Sequence, residues 1–281
     1  MSPKQTLEVA CHALEYSSPA YSAHSVLARW QRVILISVVV LFLLGLIFLP
    51  GITGVALVAL ATVSYVWALG FRFLLFKHGA RGGRMVKIAD EDARAFPDAQ
   101  LPVYTVLVPA FKEPLIEELV EALECIEYPR EKLDIRLLLE ADDAETIAAA
   151  SKLRPRAHLT VIQVPKADPQ TKPKACNYGL LTARGTLCTI FDAEDRPDPL
   201  QLRKAVLALD RLGTDYACVQ ARLGFYNSRQ NLLTRWFTLD YGAWFGNMLP
   251  GLVGIAAPIP LGGTSNHFRV TALKAVGAWD P

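Results

Sequence analysis

The longest uncharged stretch of the sequence runs from Val33 to Phe71, with no Asp, Glu, Lys or Arg among its apolar residues. A single helix of that length, at about 1.5 Å per residue, would far exceed a hydrocarbon core of roughly 30 Å. Pro50 and Gly51 interrupt the run near its middle, and such residues are typical of turns and helix starts. The pattern predicts a transmembrane hairpin with helices over Val33–Leu49 and Ile52–Phe71.

Basic residues flank both ends of this hairpin. Arg29 and Arg32 precede it, Arg72 and Lys77 follow it, and the turn between the helices carries no charge. Basic residues next to membrane segments tend to stay in the cytoplasm, so both ends are expected there. The sequence therefore predicts a multi-pass protein of the cell inner membrane, partnered by the lipid bilayer, with the domain that follows the hairpin in the cytoplasm.

The composition limits the partners and the redox chemistry of the chain. Hydrophobic residues make up 52 % of the 281 residues, and 29 basic residues are matched by 27 acidic ones. No Lys/Arg run is interleaved with aromatic residues, so nucleic acid is not expected as a partner. The five cysteines form no C-x-x-C pair, which predicts reduced thiols rather than disulfides or a zinc site.

Beyond the hairpin, short apolar runs alternate with amphipathic stretches, a pattern typical of an α/β domain. The predicted strands are Tyr104–Val108, Ile135–Leu139, Leu159–Val164, Leu187–Phe191 and Tyr216–Gln220. The predicted helices are Pro114–Ile126, Ala144–Leu153, Ala175–Ala183 and Leu200–Leu212. We expect a cytosolic tail (1–32), of which residues 1–28 are mobile or lie on the surface, the hairpin (33–71), a linker (72–101) and the α/β domain (102–281).

Acidic residues follow three of these strands, in segments 109–113, 140–143 and 192–195. Ligands of open parallel sheets bind beyond the carboxyl ends of the strands, so the three segments are expected to converge on one rim. Neither a dinucleotide fingerprint nor a P-loop is present to hold phosphates. Clustered carboxylates suit Mg²⁺ or Mn²⁺ bound together with phosphates. The alternative is that such residues cap helices, as we expect of Asp198.

Six motifs in order along the chain resemble glycosyltransferase family 2, in its membrane-anchored processive type that includes cellulose synthase and bacterial glucan synthase relatives. The motifs are VLVPAFKE, LLLEADD, KPKACNYGL, DAED, VQARLGFYN and LGGTSNHFR. The resemblance implies a GT-A fold, a Rossmann-like nucleotide-sugar-binding domain that follows the hairpin. It also implies an inverting hexosyltransferase that moves a hexose, most commonly glucose, from a UDP-sugar to a growing polysaccharide or glycan.

The resemblance also implies roles for single residues on the donor side. Pro109, Ala110, Phe111 and Glu113 match the first nucleotide-binding turn, and Asp142 matches the carboxylate that accepts from uracil. Asp143 is either part of that site or the cap of the next helix. Lys174 matches the diphosphate lysine better than Lys172 does, and Asn177 either faces the donor or lies on the surface. Asp192 and Glu194 take the place of the metal-binding D-x-D motif, with Asp195 as a rival ligand to Glu194.

On the acceptor side, the resemblance implies roles for Gln220 and for Gly263, Thr264 and Ser265. His267 is expected to be structural more than catalytic. The segment 236–260, rich in aromatics, Gly and Pro, is interpreted as an element resting on the membrane surface, with a buried loop as the alternative.

The family places its general base in a T-E-D motif that follows W-D-P, and this chain ends at Trp279-Asp280-Pro281. No catalytic base is therefore assigned here; it is expected beyond Pro281, and the chain is expected to be an inactive fragment that binds donor weakly. Two alternatives remain, a non-catalytic membrane scaffold with a degenerate domain and a glycosyltransferase that adds a single sugar. A nucleotidyltransferase is disfavoured because the chain has the hairpin and lacks a Gly-rich first loop.

Overall fold

The computed structural model describes residues 3–80, 85–113 and 116–281, and these fall into two units. The sheet unit comprises the described parts of Met1–Ser22, Val86–Arg222 and Leu261–Pro281. The hairpin unit comprises those of Ala23–Met85 and Leu223–Pro260. The first is built around a central sheet, and the second consists of packed helices.

Six strands form the sheet, in the order β3-β2-β1-β4-β6-β5. They are β1 (Tyr104–Ala110), β2 (Leu133–Glu140), β3 (Leu159–Val164), β4 (Leu187–Ile190), β5 (Cys218–Gln220) and β6 (Asn266–Arg269). β1 pairs in parallel with β2 and β4, β2 pairs in parallel with β3, and β6 is antiparallel to β4 and β5. The α/β class is confirmed, and the order 3-2-1-4 is the one found in doubly wound folds.

Helices of both units are present in the described residues. They are α1 (Pro3–Ser17), α2 (Arg29–Phe48), α3 (Pro50–Ala80), α4 (Asp90–Ala95), α5 (Ile116–Glu124), α6 (Ala144–Ala150), α7 (Lys172–Leu181), α8 (Gln201–Leu212), α9 (Leu232–Ala243), α10 (Leu249–Gly254) and α11 (Val270–Ala275). The predicted strands are confirmed to within two residues at each end. Helix α7 begins three residues earlier than predicted, β6 was not predicted, and the predicted helix start at Pro114 lies outside the described residues.

Both faces of the central strands are buried because helices cover both sides. β2 is buried along its whole length. One face packs against the apolar sides of α5 and α8, and its buried residues include Tyr104, Val106, Leu119, Leu123, Leu202 and Val206. The other face packs against α7, and its buried residues include Leu107, Leu138, Ala175, Cys176 and Leu180. The sheet is therefore held as the middle layer of three, with its carboxyl edge open.

Helix α1 packs against α7, although residues 1–28 were expected to form a mobile or surface-lying tail. Ala10, Cys11 and Leu14 are buried. Asn177 of α7 donates from Nδ2 to the Ala10 carbonyl over 3.0 Å. The expectation is wrong for this segment because its few apolar residues are buried by a helix far away in the sequence.

The two long helices of the hairpin unit, α2 and α3, are separated by Leu49. Pro50 begins α3 rather than ending a turn, as suits a residue that lacks an N–H. Both helices are long and apolar enough to cross a membrane, by length and composition only. Helix α3 continues nine residues beyond the predicted end at Phe71, so the first part of the predicted linker is helical.

The segment predicted to lie on the membrane surface is helical and packs in part against the end of α3. α9 leads through a π-helical stretch, Trp244–Met248, into α10. Leu75 of α3 is buried with Phe245, Leu249 and Leu252. A Cβ atom placed on Gly251 would lie 2.2 Å from the Leu75 carbonyl oxygen, so only glycine permits this backbone contact.

Candidate functional site

The carboxyl ends of β1, β2 and β4 lie side by side, because these strands are neighbours and parallel. The three segments that follow them, 109–113, 140–143 and 192–195, form what we call the rim. The convergence that was predicted from the sequence is therefore confirmed. In open α/β sheets this edge is where ligands bind.

A cavity of about 370 Å³ opens at the rim, a size typical of small-ligand sites. Its lining includes three predicted residues, Pro109, Ala110 and Phe111. The Phe111 ring is 52 % exposed rather than buried in the core, so a flat face is available to a ligand. The remaining lining residues are Leu138, Glu140, Gln170, Thr171, Lys172 and Ala175.

The turn after β1 is held by α6. Lys112 has a positive φ of 53°, and its backbone N–H donates to Asp143 Oδ2 over 2.5 Å. Asp143 Oδ1 accepts from the Thr146 N–H over 3.2 Å, while Thr146 Oγ1 accepts from the Glu113 N–H over 3.0 Å. Asp143 is therefore the N-cap of α6, which decides between its two interpretations. Burial raises the pKa of Asp143, but these hydrogen bonds outweigh it, and the net pKa is lowered.

Asp142 lies exposed at the mouth of the rim. Its carboxylate accepts from Lys166 Nζ over 3.0 Å and from Gln170 Nε2 over 2.9 Å. The hydrogen bond from Lys166 lowers the pKa of Asp142, so the side chain remains an ionised acceptor. Asp142 does not line the cavity, but Gln170 links it to a cavity wall.

The two lysines at the start of α7 have different surroundings. Lys174 is fully buried, and its Nζ donates to Glu140 Oε2 over 2.8 Å. Lys172 reaches the rim, where its Nζ contacts Asp192 Oδ1 and donates to the Gly263 carbonyl over 2.8 Å. Two helical residues that are two positions apart point about 200° away from each other. Of the two lysines, Lys172 is therefore the one whose ammonium group lies at the rim, while the predicted Lys174 is paired with Glu140 behind the cavity wall.

Thr171 and Gln170 were missed by the sequence analysis, although a signal was present. Thr171 Oγ1 accepts from the Lys174 N–H over 3.3 Å, and Pro173 occupies the first turn of α7. Threonine followed by proline two residues later is a helix-start pattern. It would have placed Lys172, rather than Ala175, at the start of the helix.

The segment 192–195, which follows β4 and which we call the acidic turn, contains three carboxylates that differ in their exposure to solvent. Asp195 Oδ2 accepts from the Asp192 N–H over 2.7 Å and from Thr264 Oγ1. Burial raises the pKa of Asp195, and its oxygens are used to shape the turn. Asp192 is half-buried and Glu194 is exposed. Of the two rivals, Glu194 is thus the one whose carboxylate is open to solvent.

The described residues include no group of three or more His, Cys, Asp and Glu side chains placed to hold a metal ion. The chemistry of the acidic turn nevertheless fits Mg²⁺ or Mn²⁺, which take few protein carboxylates and complete their shell with water and phosphate oxygens. Asp192 and Glu194 are hard oxygen donors, and the contact between Asp192 and the Lys172 ammonium shows that a cation is accommodated there.

The glycine loop, defined as Gly262–Ser265, is attached to the acidic turn. Ser265, with φ 56°, donates its backbone N–H to the Ile190 carbonyl over 2.8 Å, and Thr264 Oγ1, which donates to Asp195, lies 3.2 Å from the same carbonyl. Both side chains are buried. Thr264 and Ser265 therefore fix the loop to β4, while Gly262 and Gly263 are its exposed part.

Two further residues with proposed roles, His267 and Asn177, are buried and make contacts within the protein. His267 is fully buried between Tyr104 Oη at 2.6 Å and Gln201 Nε2 at 3.1 Å, and burial lowers its pKa to about 3. Asn177 is buried and joins α1 to the Trp279 backbone, donating to its carbonyl over 2.7 Å. Asn177 therefore faces neither a donor nor the surface.

Comparison with known proteins bears on this site and on the fold. Residues 102–281 match the family described as "Glycosyltransferase like family 2". "Probable glycosyltransferase YdaM" of Bacillus subtilis (strain 168) is 24 % identical over 196 residues, which is 64 % of this chain and 44 % of that protein. The chain thus spans less than half the length of this curated relative.

Among solved structures, the mannosyltransferase PcManGT from Pyrobaculum calidifontis, in complex with GDP-Man and Mn²⁺, superposes with a TM-score of 0.58 and 21 % identity. The superposition covers 79 % of this chain and 58 % of that one. This likeness confirms the predicted GT-A fold.

Proposed function

The chain belongs to glycosyltransferase-like family 2, and on that premise we propose that it is the donor-binding part of a membrane-anchored, inverting hexosyltransferase of the processive type. The donor is a UDP-sugar, with glucose as the hexose, and the acceptor is a growing polysaccharide or glycan. The single observation that supports this best is a cavity lined by an exposed aromatic ring and by a lysine whose ammonium group contacts the acidic turn.

Each part of the site suits one part of a nucleotide diphosphate sugar. Phe111 offers an exposed face on which a base can stack. Asp142, kept ionised by Lys166, accepts a ring N–H of uracil. Lys172 supplies a positive charge for the diphosphate, and it is the lysine that borders both the cavity and the acidic turn.

Asp192 and Glu194 would hold Mg²⁺ or Mn²⁺ at the diphosphate. Such an ion acts as a Lewis acid that neutralises charge on the departing nucleotide. Asp195 positions Asp192 through its bond to the Asp192 N–H. The Mn²⁺ in the complex of the Pyrobaculum enzyme supports this assignment, although that enzyme is bound to GDP-Man.

The hairpin unit supports a membrane location. α2 and α3 carry apolar residues on all sides, and in the described structure these residues are exposed. α9 adds an exposed apolar face with Leu232, Leu233, Trp236 and Leu239, as in helices that lie in the membrane interface. We propose that the hairpin spans the inner membrane with the sheet unit in the cytoplasm, where nucleotide sugars are made.

Binding of UDP tests the proposal without depending on turnover. Calorimetry of the chain in detergent is expected to show UDP binding that requires Mn²⁺ and that Asp192→Asn abolishes. Asp215→Asn is the matched control, because Asp215 is exposed and precedes β5 at the opposite edge of the sheet. GDP serves as the competing ligand. Tighter binding of GDP would overturn the uridine assignment, and absence of binding by a folded chain would favour the scaffold alternative.

A further inference from the structure

Three buried side-chain atoms near the glycine loop have no hydrogen-bond partner in the described part of the chain. They are Nε2 and Oε1 of Gln220 and Oδ1 of Asn266. Gln220 ends β5, Asn266 begins β6, and the two residues are directly opposite each other in the antiparallel pair. Opposite side chains in such a pair point to the same face, with their Cβ atoms about 5 Å apart. The two amides therefore lie side by side.

These unused groups are not explained by the packing of the sheet. Asn266 is only 5 % exposed, and its Nδ2 already donates to the Gly262 carbonyl, so rotating this amide would only exchange one unpaired atom for another. Gln220 has both its donor and its acceptor unused. Buried amides without partners destabilise a folded protein and are rare for that reason. A ligand that supplies the missing partners is one reason to retain them.

The position of the pair relative to Asp192 indicates which part of a ligand it would meet. The cavity lies over β1 and β2, Asp192 follows β4, and β6 and β5 come next in the sheet. A nucleotide in the cavity with its diphosphate at Asp192 would direct the attached sugar toward β6 and β5. Carbohydrate hydroxyls both donate and accept, which matches one unused donor and two unused acceptors.

The glycine loop covers the pair and is connected to the phosphate side of the site. A Cβ atom on Gly262 would lie 3.1 Å from Gln220 Nε2, so a side chain at position 262 would crowd this amide. The next residue, Gly263, accepts from Lys172 Nζ, which also contacts Asp192. If Lys172 turns to a diphosphate, the bond to Gly263 is released, and Gly262 and Gly263, the part of the loop that is not fixed to β4, can move away from the amides once a ligand replaces the bond from Asn266 to Gly262.

We propose that Gln220 and Asn266 form a subsite that binds hydroxyl groups of a sugar ring once the glycine loop is displaced. This inference rests on the proposed function and adds a sugar-recognising pair to it. The ring is either the sugar being transferred or the terminal sugar of the acceptor, since both present the same hydroxyl chemistry.

The test compares three ligands on the full chain in detergent with Mn²⁺: UDP, UDP-glucose, and cellotetraose added in the presence of UDP. Gln220→Met keeps the volume of the side chain and removes its polar atoms. It is expected to weaken binding by about tenfold, the effect of one or two neutral hydrogen bonds. If only the affinity for UDP-glucose falls, the ring in the subsite is the transferred sugar. If only the affinity for cellotetraose falls, the ring is the terminal sugar of the acceptor. Affinity for UDP should not change.

Thr189→Val is the matched control, because Thr189 Oγ1 is also buried and has no hydrogen-bond partner among the described residues. Thr189 is opposite His267, and neighbouring residues of a strand alternate between faces, so it lies on the other side of the sheet from Asn266. Both variants should melt at or above the wild-type temperature, and Thr189→Val should leave all three affinities unchanged.

Unchanged binding of both sugar ligands by Gln220→Met, in a chain that binds UDP, would overturn the subsite and leave the donor site standing. A lowered melting temperature together with weaker binding of all three ligands would identify a packing role and also overturn it. If the folded wild-type chain does not bind UDP, the proposed function fails, and this inference fails with it.

Discussion

Lys174 Nζ donates to Glu140 Oε2 over 2.8 Å, and the side chains are 0 % and 7 % exposed. A buried ion pair contributes little net stability relative to apolar residues, but removal of one partner leaves an uncompensated charge in the interior. Glu140 also lines the cavity. The pair therefore fixes a wall of the site from inside the protein rather than from the solvent side.

Replacing one member of this pair should be more harmful than replacing both. Lys174→Met is expected to lower the free energy of unfolding by about 3–5 kcal/mol, because Glu140 is then buried without its partner. The double variant Lys174→Met/Glu140→Leu should regain most of that loss. Urea titration in detergent measures the free energy of unfolding of the single and the double variant. Normal stability of Lys174→Met combined with loss of UDP binding would instead make Lys174 the diphosphate ligand that the family resemblance implies.

Lys172→Met should separate the roles of the two lysines. Because Lys172 is half-exposed at Asp192, its removal should change the free energy of unfolding by less than about 1 kcal/mol. Loss of a charge-assisted bond should weaken UDP binding by about ten- to a hundredfold. Mn²⁺ alone, followed by electron paramagnetic resonance, should bind more tightly because Asp192 loses a competing cation. Lys274→Met, an exposed change on α11, should alter none of these, and weaker Mn²⁺ binding by Lys172→Met would contradict the idea of competition.

The buried side chain of His267 should make the free energy of unfolding depend on pH. Burial lowers its pKa to about 3 in the folded chain, against about 6.5 when unfolded. As the pH falls below 6.5, the unfolded chain takes up a proton that the folded chain does not, so stability is full above pH 6.5 and is lost progressively toward pH 3. The slope contributed by this residue is at most about 1.4 kcal/mol per pH unit.

His267→Gln should flatten this dependence, since glutamine keeps hydrogen-bonding groups and does not titrate. Melting temperatures between pH 7 and pH 4 measure the slope, and the comparison uses slopes so that a constant loss of stability does not matter. His24→Gln, at an exposed histidine, should keep the wild-type slope. An unchanged slope in His267→Gln would show that other groups control the acid sensitivity.

Close backbone packing in the hairpin unit gives a fourth prediction. Gly251→Ala is expected to lower the free energy of unfolding by about 1–3 kcal/mol. The added methyl group would overlap the Leu75 carbonyl and force α3 and α10 apart. Gly246→Ala is the control, since nothing lies within 4 Å of a Cβ atom there. Thermal melting in detergent should separate the two variants. Equal melting temperatures would mean that the contact between α3 and α10 adapts without loss.

The sheet and its rim could be predicted because their signals are local. Buried strands appear as short apolar runs, and the polar residues that follow them mark the carboxyl edge. Pro50 marked the break between the long helices for the same reason. β6 escaped prediction because it is four residues long and antiparallel, and the glycines and polar residues that precede it are typical of a loop.

The orientation of single side chains could not be predicted from spacing alone. Lys172 and Lys174 carry the same charge on the same turn, and which of them faces inward depends on Glu140, on a different strand. The burial of α1 likewise depends on α7. An acceptor-side role for Gln220 is implied by its motif and stays a prediction, whereas its position opposite Asn266 is revealed only by the sheet register.

The docking of α1 on α7 also has a consequence for the order in which the protein is made. The ribosome completes α1 before the hairpin and long before α7, whose Asn177 donates to the Ala10 carbonyl. During that interval the apolar side of α1 has no place to bind within the nascent chain, and contacts between segments so distant in sequence form slowly. Helix α1 is therefore among the earliest parts synthesised and among the last to reach its native position.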